Sequence, residues 1–456
     1  MSFLSKNLRR QIKIFLRKTT FLIILVTTLA SILFIRPYLN SLYQKPSFEE
    51  RLPEADFLAR CYLLDVAKET SDMLFYHKIP FRDLFSYEFL LSQGKSYGLN
   101  LQKPMYFFAN ENGNWGVMVE VADSSKMYGG IERLKKIIDL SDTLYNDQKV
   151  YRYENENGYL SYDKNWLLIY KGTDFNKTFN KIVSAKKGEM QSCWKAFLKE
   201  KQFKDEKLVI YSNWKKLKNQ GLETALFAHN SDSSSFSLLS YFRNKKPLNI
   251  KRKEKGIELF STNNIKNQLN IHLDISKLRK ATKDPIYKYL VKLGKKISFP
   301  TKEFLDTWEG DLCFTQGGLT TIHETFIESV IDEEFNVSEV KSVKTEQVPG
   351  FSLLLSVNNK STNLINLLFA KGILTKHDKH FQFLASPPLS FVKKENALLF
   401  YSGENFPKQI TGNKNHGVWT QRGTKIGFNL DSLSSHEVFG TIHIPIDRII
   451  RRNKFF

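Results

Sequence analysis

"VEVADSSKM" spans Val119–Met127. Its apolar residues stop at Asp123. Before that point, Trp115–Val121 alternates as a strand does. Beyond it, Ile131, Leu134, Ile137 and Ile138 recur at the spacing of one helix face. Asp123 stands where its carboxylate accepts hydrogen bonds from the unpaired amides of a first helical turn. The phrase recurs as "LVIYSNWKKL" (Leu208–Leu217), "NIHLDISKL" (Asn270–Leu278) and "IGFNLDSL" (Ile426–Leu433). Asn213, Asp274 and Asn429 take the place of the helix cap in these copies. Strands that run directly into capped helices define an α+β chain. A cap filled by its own Asp or Asn is satisfied, so these helix starts are read as architecture and not as anion sites.

A second repeat works over a longer range. "YLSYDKNWLLIYKG" (Tyr159–Gly172) aligns without gaps on "SFVKKENALLFYSG" (Ser390–Gly403). Asn165, Leu167, Leu168, Tyr170 and Gly172 match Asn396, Leu398, Leu399, Tyr401 and Gly403. Each stretch reads as a β-hairpin turning near its Asn. Upstream of each lies a strand entering a helix, "GVMVEVADSSKM" and "FSLLLSVNNKSTNLINLLF". The order predicts an internal duplication. The expected organisation is a first half over 54–245 and a second over 246–456, each an antiparallel β-sheet with helices packed on one face. The join falls in "RNKKPLNIKRKEKG", Arg243–Gly256. Lys245, Lys246, Lys251, Arg252 and Lys253 are the candidates there for contact with a membrane or another anion.

At 456 residues the chain is long enough for two or three domains. Aromatic residues at 13% favour pleated surfaces, where flat side chains pack well. The net charge of +21 points to acidic partners or to a lysine-rich solvated surface. Cys61, Cys193 and Cys313 are widely spaced and form no C-x-x-C, which supports neither a zinc site nor a disulfide framework, though an oxidising compartment would allow one disulfide.

The N-terminus carries a membrane pattern. Residues 1–18 are a basic leader with Lys6, Arg9, Arg10, Lys13, Arg17 and Lys18. Thr19–Ile35 has no charge, and Arg36 and Pro37 end it. At about 1.5 Å per residue it nearly crosses a hydrocarbon core of about 30 Å. A transmembrane signal anchor over 19–36 is expected, in contact with the lipid bilayer, with the leader held in the cytoplasm. The rival is a cleaved signal peptide ending near Thr28-Leu29-Ala30. Residues 37–53 then read as a tether broken by Pro37, Pro46 and Pro53. The bulk of the chain is expected in the periplasm.

Motifs for chemistry are missing. No Gly-rich phosphate loop, G-x-S-x-G or H-E-x-x-H occurs. His377 and His380 in "KHDKH" read as a polar loop rather than a metal pair. Glu309 and Asp311 in "TWEGDL" would share one face of a strand. Such a pair can do acid–base work, yet the flanking Trp308 and Gly310 look more like a turn and its packing. No nucleic-acid motif appears.

"YGLNLQKPMYFFANENGNWGVMVEVADSSKMYGGIERL", "YLSYDKNWLLIYKG", "FLDTWEGDLCFTQGG" and "GFSLLLSVNNKSTNLINLL" together resemble a group of uncharacterised envelope proteins of Bacteroidota. The resemblance implies a duplicated α+β region in the periplasm and supplies no catalytic residues. The expected function is a non-enzymatic scaffold or binding domain of a single-pass inner-membrane protein, with no cofactor and an envelope protein as partner. The alternative is a carrier of lipid or envelope polymer with an apolar groove between the halves. An exported hydrolase ranks last.

Overall fold

A computed structural model describes residues 45–76, 86–145, 148–153, 157–219, 221–231, 235–254, 257–261, 264–331, 335, 337–377, 379–383, 386–403, 408–412, 414–421 and 424–445. They fall into two compact units.

The larger unit holds Ala55–Thr173 and the chain from Ala196 onward. Its first arm opens with β1 (Phe57–Cys61), α1 (Leu63–Tyr76) and α2 (Tyr87–Ser96). There follow β2 (Met105–Ala109), β3 (Trp115–Glu120) and α3 (Ser124–Leu134). Four strands then meander: β4 (Leu140–Tyr145), β5 (Gln148–Tyr153), β6 (Gly158–Tyr162) and β7 (Trp166–Lys171). The chain then passes through α4 (Phe175–Val183), which belongs to the smaller unit, and α5 (Ser192–Lys199), which re-enters the larger unit at Ala196. The arm closes with β8 (Leu208–Ser212), α6 (Lys215–Asn219), β9 (Leu222–Ser231) and β10 (Ser235–Asn244).

The second arm begins with β11 (Lys251–Arg252), β12 (Ile257–Ser261) and β13 (Ile265–Asp274). Three helices follow: α7 (Ser276–Lys280), α8 (Pro285–Lys296) and α9 (Thr301–Thr307). Two long strands, β14 (Trp308–Ile331) and β15 (Val337–Val357), lead to α10 (Ser361–Ala370). A meander of β16 (Leu374–His377), β17 (His380–Phe383), β18 (Leu389–Lys394) and β19 (Ala397–Ser402) comes next. Last are β20 (Lys408–Gly412), β21 (Asn415–Gln421), β22 (Thr424–Leu433) and β23 (Glu437–Pro445).

Hydrogen bonding joins both arms into one 21-stranded antiparallel sheet, and β12 pairs with β20 in a separate two-stranded one. Across the first arm the neighbours run β4-β5-β6-β7-β3-β2-β1-β8-β9-β10. From β10 the sheet continues through β23-β22-β21-β13-β14-β15-β19-β18-β17-β16. Read outward from the β10–β23 seam, the two arms have the same strand order, while α4, α5 and α6 of the first arm have no helical counterpart in the second among the described residues.

The fold expectation therefore needs two corrections. The arms are not two sheets: strand edges offer unpaired N–H and C=O groups, and β10 and β23 satisfy theirs by pairing with each other. Nor is there a transmembrane helix among the described residues, where no helix is long and apolar enough to cross a membrane. The segment expected to span one, residues 19–36, lies outside them, as does the basic leader 1–18.

Each arm builds a core where one helix meets the sheet, α3 after β3 in the first and α10 after β15 in the second. In the first, Met127 and Ile131 of α3 pack with Val117, Val119 and Leu167. In the second, Leu364 and Leu368 of α10 pack with Val357, Leu398 and Phe400. Burial of each such side chain contributes about 1.5–3 kcal/mol.

The four predicted caps meet different ends. Asp123 caps α3 by accepting from the amides of Ser125 and Lys126 at 3.0 and 3.2 Å. Asp274 accepts from the Ser276 amide at 2.9 Å, while Ile275 occupies the cap position of α7. Asn213 precedes the short α6, but its amide donates to the Ala55 carbonyl at 3.3 Å and so ties β8 to the start of β1. Asn429 is corrected outright. It lies inside β22, opposite His416 on one side and Thr441 on the other. Ladders on both flanks hold its backbone extended, and no helix begins there.

The smaller unit comprises the described residues 45–54 and Asp174–Lys195. The Trp194 indole donates to the Pro53 carbonyl at 2.7 Å, and Arg51 donates to that of Ile182 at 3.1 Å. Phe175 stacks on Phe179 with centroids 5.2 Å apart, one turn along α4.

Candidate functional site

The basic run at the junction is divided by the fold. Lys245 and Lys246 sit in the exposed turn after β10. Lys251 and Arg252 form β11 against Asp274 and Leu273, and Arg252 donates to the Asp431 carbonyl at 3.3 Å. Lys253 turns inward. Its ammonium bonds the Asp311 carboxylate at 2.5 Å and the Glu309 carbonyl at 2.6 Å.

That contact belongs to a buried polar cluster. His272 on β13 places Nδ1 3.2 Å from the Asp311 carboxylate. Asn415 on β21 clamps the His272 backbone, accepting from its N–H at 2.6 Å. Ser356 on β15 accepts the Asp311 amide at 2.8 Å, and the Trp308 indole donates to the Asp311 carbonyl at 2.7 Å. Burial pushes the Asp311 pKa up, but the bonds from His272 and Lys253 outweigh it and hold the carboxyl below its usual value. A His–Asp pair invites a catalytic reading. Here His272 and Asp311 are sealed from solvent. The neighbouring Ser356 hydroxyl is engaged with the Asp311 backbone, so no activated nucleophile faces a substrate. The cluster ties four strands together.

Glu309 and Asp311 do not share a face. A bulge interrupts the β14–β15 register between Trp308 and Leu312. Gly310 sits in it at φ +93°, where a Cβ would run into the Leu273 carbonyl. Asp311 goes into the core, while Glu309 stays outside and pairs with Arg279 at 2.9 Å. His377 and His380 face each other across the β16–β17 hairpin. No group of three or more metal-ligating side chains occurs among the described residues.

A cationic concavity lies on α7, α8 and α9. Asp284 caps α8 by accepting the Ile286 amide at 2.7 Å, with Pro285 pre-set for the first turn. The inner faces of the three helices bury Leu278, Tyr287 and Leu305 together with Ile275 and Trp308. Their outer rim forms a cleft of about 670 Å³ lined by Arg279, Lys288, Lys292, Lys295 and Lys302, with Asp306 as its one carboxylate. Arg279 is fixed there by a 2.9 Å bond to the Trp308 carbonyl and its pairing with Glu309.

Beside the cleft, Tyr289, Leu293 and Ile297 are 65%, 47% and 66% exposed. Spaced four apart, Tyr289 and Leu293 form an apolar stripe on α8 that Ile297 extends past its end. Across residues 275–302 the sequence carries nine Lys and Arg against Asp284 alone. Sequence reasoning missed this surface. Its signal was there, as lysines at helical spacing with apolar residues between them.

A second concavity, of about 500 Å³, opens on β1, β2, β3 and β8 and is apolar. Phe57, Ala59, Phe107, Trp115, Leu208 and Ile210 line it with Cys61. Burial pushes the Cys61 thiol up to about 11, so it supplies no thiolate at neutral pH.

No family model matches the chain. No curated protein matches it either. Among solved structures it is similar to one titled "Structure of crystal form I of TP0453". That likeness is 8% identical, covers 44% of this chain and 80% of the other, and has a TM-score of 0.28.

Proposed function

We propose that this chain is a non-enzymatic binding protein, a scaffold whose contact surface is the cationic cleft of α7, α8 and α9. Its partner is an acidic protein segment that also carries apolar side chains. One observation supports this reading: Lys288, Lys292, Lys295 and Lys302 converge beside the exposed Tyr289 and Leu293. The cations steer an acidic segment, and the apolar stripe supplies the area that holds it. Residence in the cell envelope belongs to the same proposal and is checked by cell fractionation.

The test uses a labelled peptide alternating Glu with Val or Ile, titrated into the full chain and followed by anisotropy. Binding should weaken as salt rises. It should fall at least about tenfold in the Lys288→Glu, Lys292→Glu double variant, a loss of about 1.4 kcal/mol or more. Equal affinity in the variant, or no binding at low salt, refutes the reading.

A second reading, a carrier of lipid or envelope polymer, is favoured by the apolar groove at Phe107 and Trp115. That groove lies within the first arm. A solvatochromic lipid probe displaced by fatty acid, and lost in Ala59→Trp, would support it.

A further inference from the structure

β14 and β15 outrun the sheet. β13 pairs with β14 only as far as Gly317, and β19 pairs with β15 only from Ser352. Beyond those points Leu319–Ile331 and Val337–Pro349 pair with each other alone among the described residues. At about 3.3 Å per residue, 13 residues on each side make a ribbon roughly 40 Å long. A two-stranded ribbon is not stable by itself in water, and near its base this one is covered, with Ile322 4% exposed. Its outer half exposes apolar side chains, Ile327, Val330 and Val340 among them.

Register separates its faces. Glu328 lies opposite Val340, and Ile322 lies opposite Glu346. With Val330, these residues share one face, because positions two apart on a strand point the same way. Val330 is 45% and Val340 47% exposed. Lys344 shares this face and pairs with Glu346 at 2.5 Å, so its open outer part presents Glu328 with Val330 and Val340. Over 319–349 the sequence places seven carboxylates against Lys341 and Lys344, in a chain whose net charge is +21. The ribbon is an acidic extension of a basic protein.

We infer that this ribbon face docks in the α7–α9 cleft of a second copy of the chain, reciprocally, so that the protein is a two-fold dimer. The inference rests on the binding role proposed for the cleft and names its occupant. Charge matches charge, with Glu328 offered to Lys288, Lys292, Lys295 and Lys302. Val330 and Val340 meet Tyr289 and Leu293. A reciprocal exchange is self-complementary and closes, as a two-fold interface must. The open outer half of the face, roughly 20 Å by 10 Å, used twice with both surfaces counted, buries on the order of 800 Å², in the range of weak, reversible interfaces. An anionic bilayer would also attract the cleft, but it would repel the ribbon and leave its apolar face uncovered.

The experiment is sedimentation equilibrium of the full chain across a range of salt. The wild type should be a dimer that dissociates as salt rises. Val330→Ser with Val340→Ser, Glu328→Lys, and Lys288→Glu with Lys292→Glu should each raise the dimer dissociation constant at least about tenfold. The ribbon changes are at exposed positions, so the fold should survive them. Mixing the two charge-reversed proteins should restore a dimer between them.

A wild-type chain that stays monomeric yet binds the acidic peptide would overturn self-docking and leave the cleft's binding role standing. A chain that neither dimerises nor binds the peptide would remove both. A dimer unmoved by all three variants would place the interface elsewhere and overturn the inference. So would a monomer that binds phosphatidylglycerol vesicles through Lys288 and Lys292.

Discussion

Ser240 on β10 stands opposite Gly440 on β23, midway along the ladder that joins the two arms. Its hydroxyl donates to the Gly440 carbonyl at 3.0 Å. A Cβ at Gly440 would lie 2.9 Å from the Asn429 carbonyl oxygen and 3.3 Å from the Ser240 hydroxyl. The seam is closed by the absence of a side chain. Gly440→Val should therefore destabilise the protein by about 1–3 kcal/mol through overpacking. Urea midpoints measure it, and an unchanged midpoint would mean that the seam gives way freely.

Lys253 and Asp311 form a pair in which Asp311 is buried. Lys253→Met leaves the carboxylate with His272 alone and should cost about 3–5 kcal/mol, as broken buried pairs do. Replacing both members by Met and Leu should cost less than the single change. A double-mutant cycle reads the difference.

The same carboxylate fixes a pH dependence. Its folded pKa lies below its unfolded one. The group therefore contributes stability above the unfolded value, and that contribution is lost as pH falls through the folded value. Wild-type stability should drop on acidification below about pH 4, the ordinary Asp pKa. Asp311→Asn should flatten that part of the curve while lowering stability at neutral pH. Urea midpoints collected from neutral to acid pH give both.

Cys61, Cys193 and Cys313 are buried. With the Cys61 thiol pushed up to about 11, iodoacetamide at neutral pH should leave it unmodified in the folded protein and label it in denaturant. Mass spectrometry of the labelled peptide decides.

Local features were legible in the sequence, and long-range ones were not. Asp123 does cap its helix, because strand end, cap and helix face all sit within one short stretch. The same phrase around Asn429 makes no helix, because β21 and β23 capture that backbone on both sides. The seam joins Ser240 to a residue 200 positions away, and no local pattern carries that information. The bulge at Gly310 split Glu309 from Asp311, and a strict two-residue alternation misses it. The cationic cleft escaped for a related reason. Its cations are spread over three helices from Arg279 to Lys302, and only folding gathers them. The denser run at Lys251–Lys253 drew attention instead, and there the fold uses Lys253 for its own core.

The most direct test of the cleft's role places a photo-crosslinking amino acid at Leu293 in the full chain and irradiates it with the acidic, apolar peptide. A covalent adduct at that position is expected. Excess unlabelled peptide should suppress it, as should Lys288→Glu with Lys292→Glu. An equal yield from the same crosslinker placed at Trp115, or no adduct at Leu293, would contradict the assignment of the cleft as the binding surface.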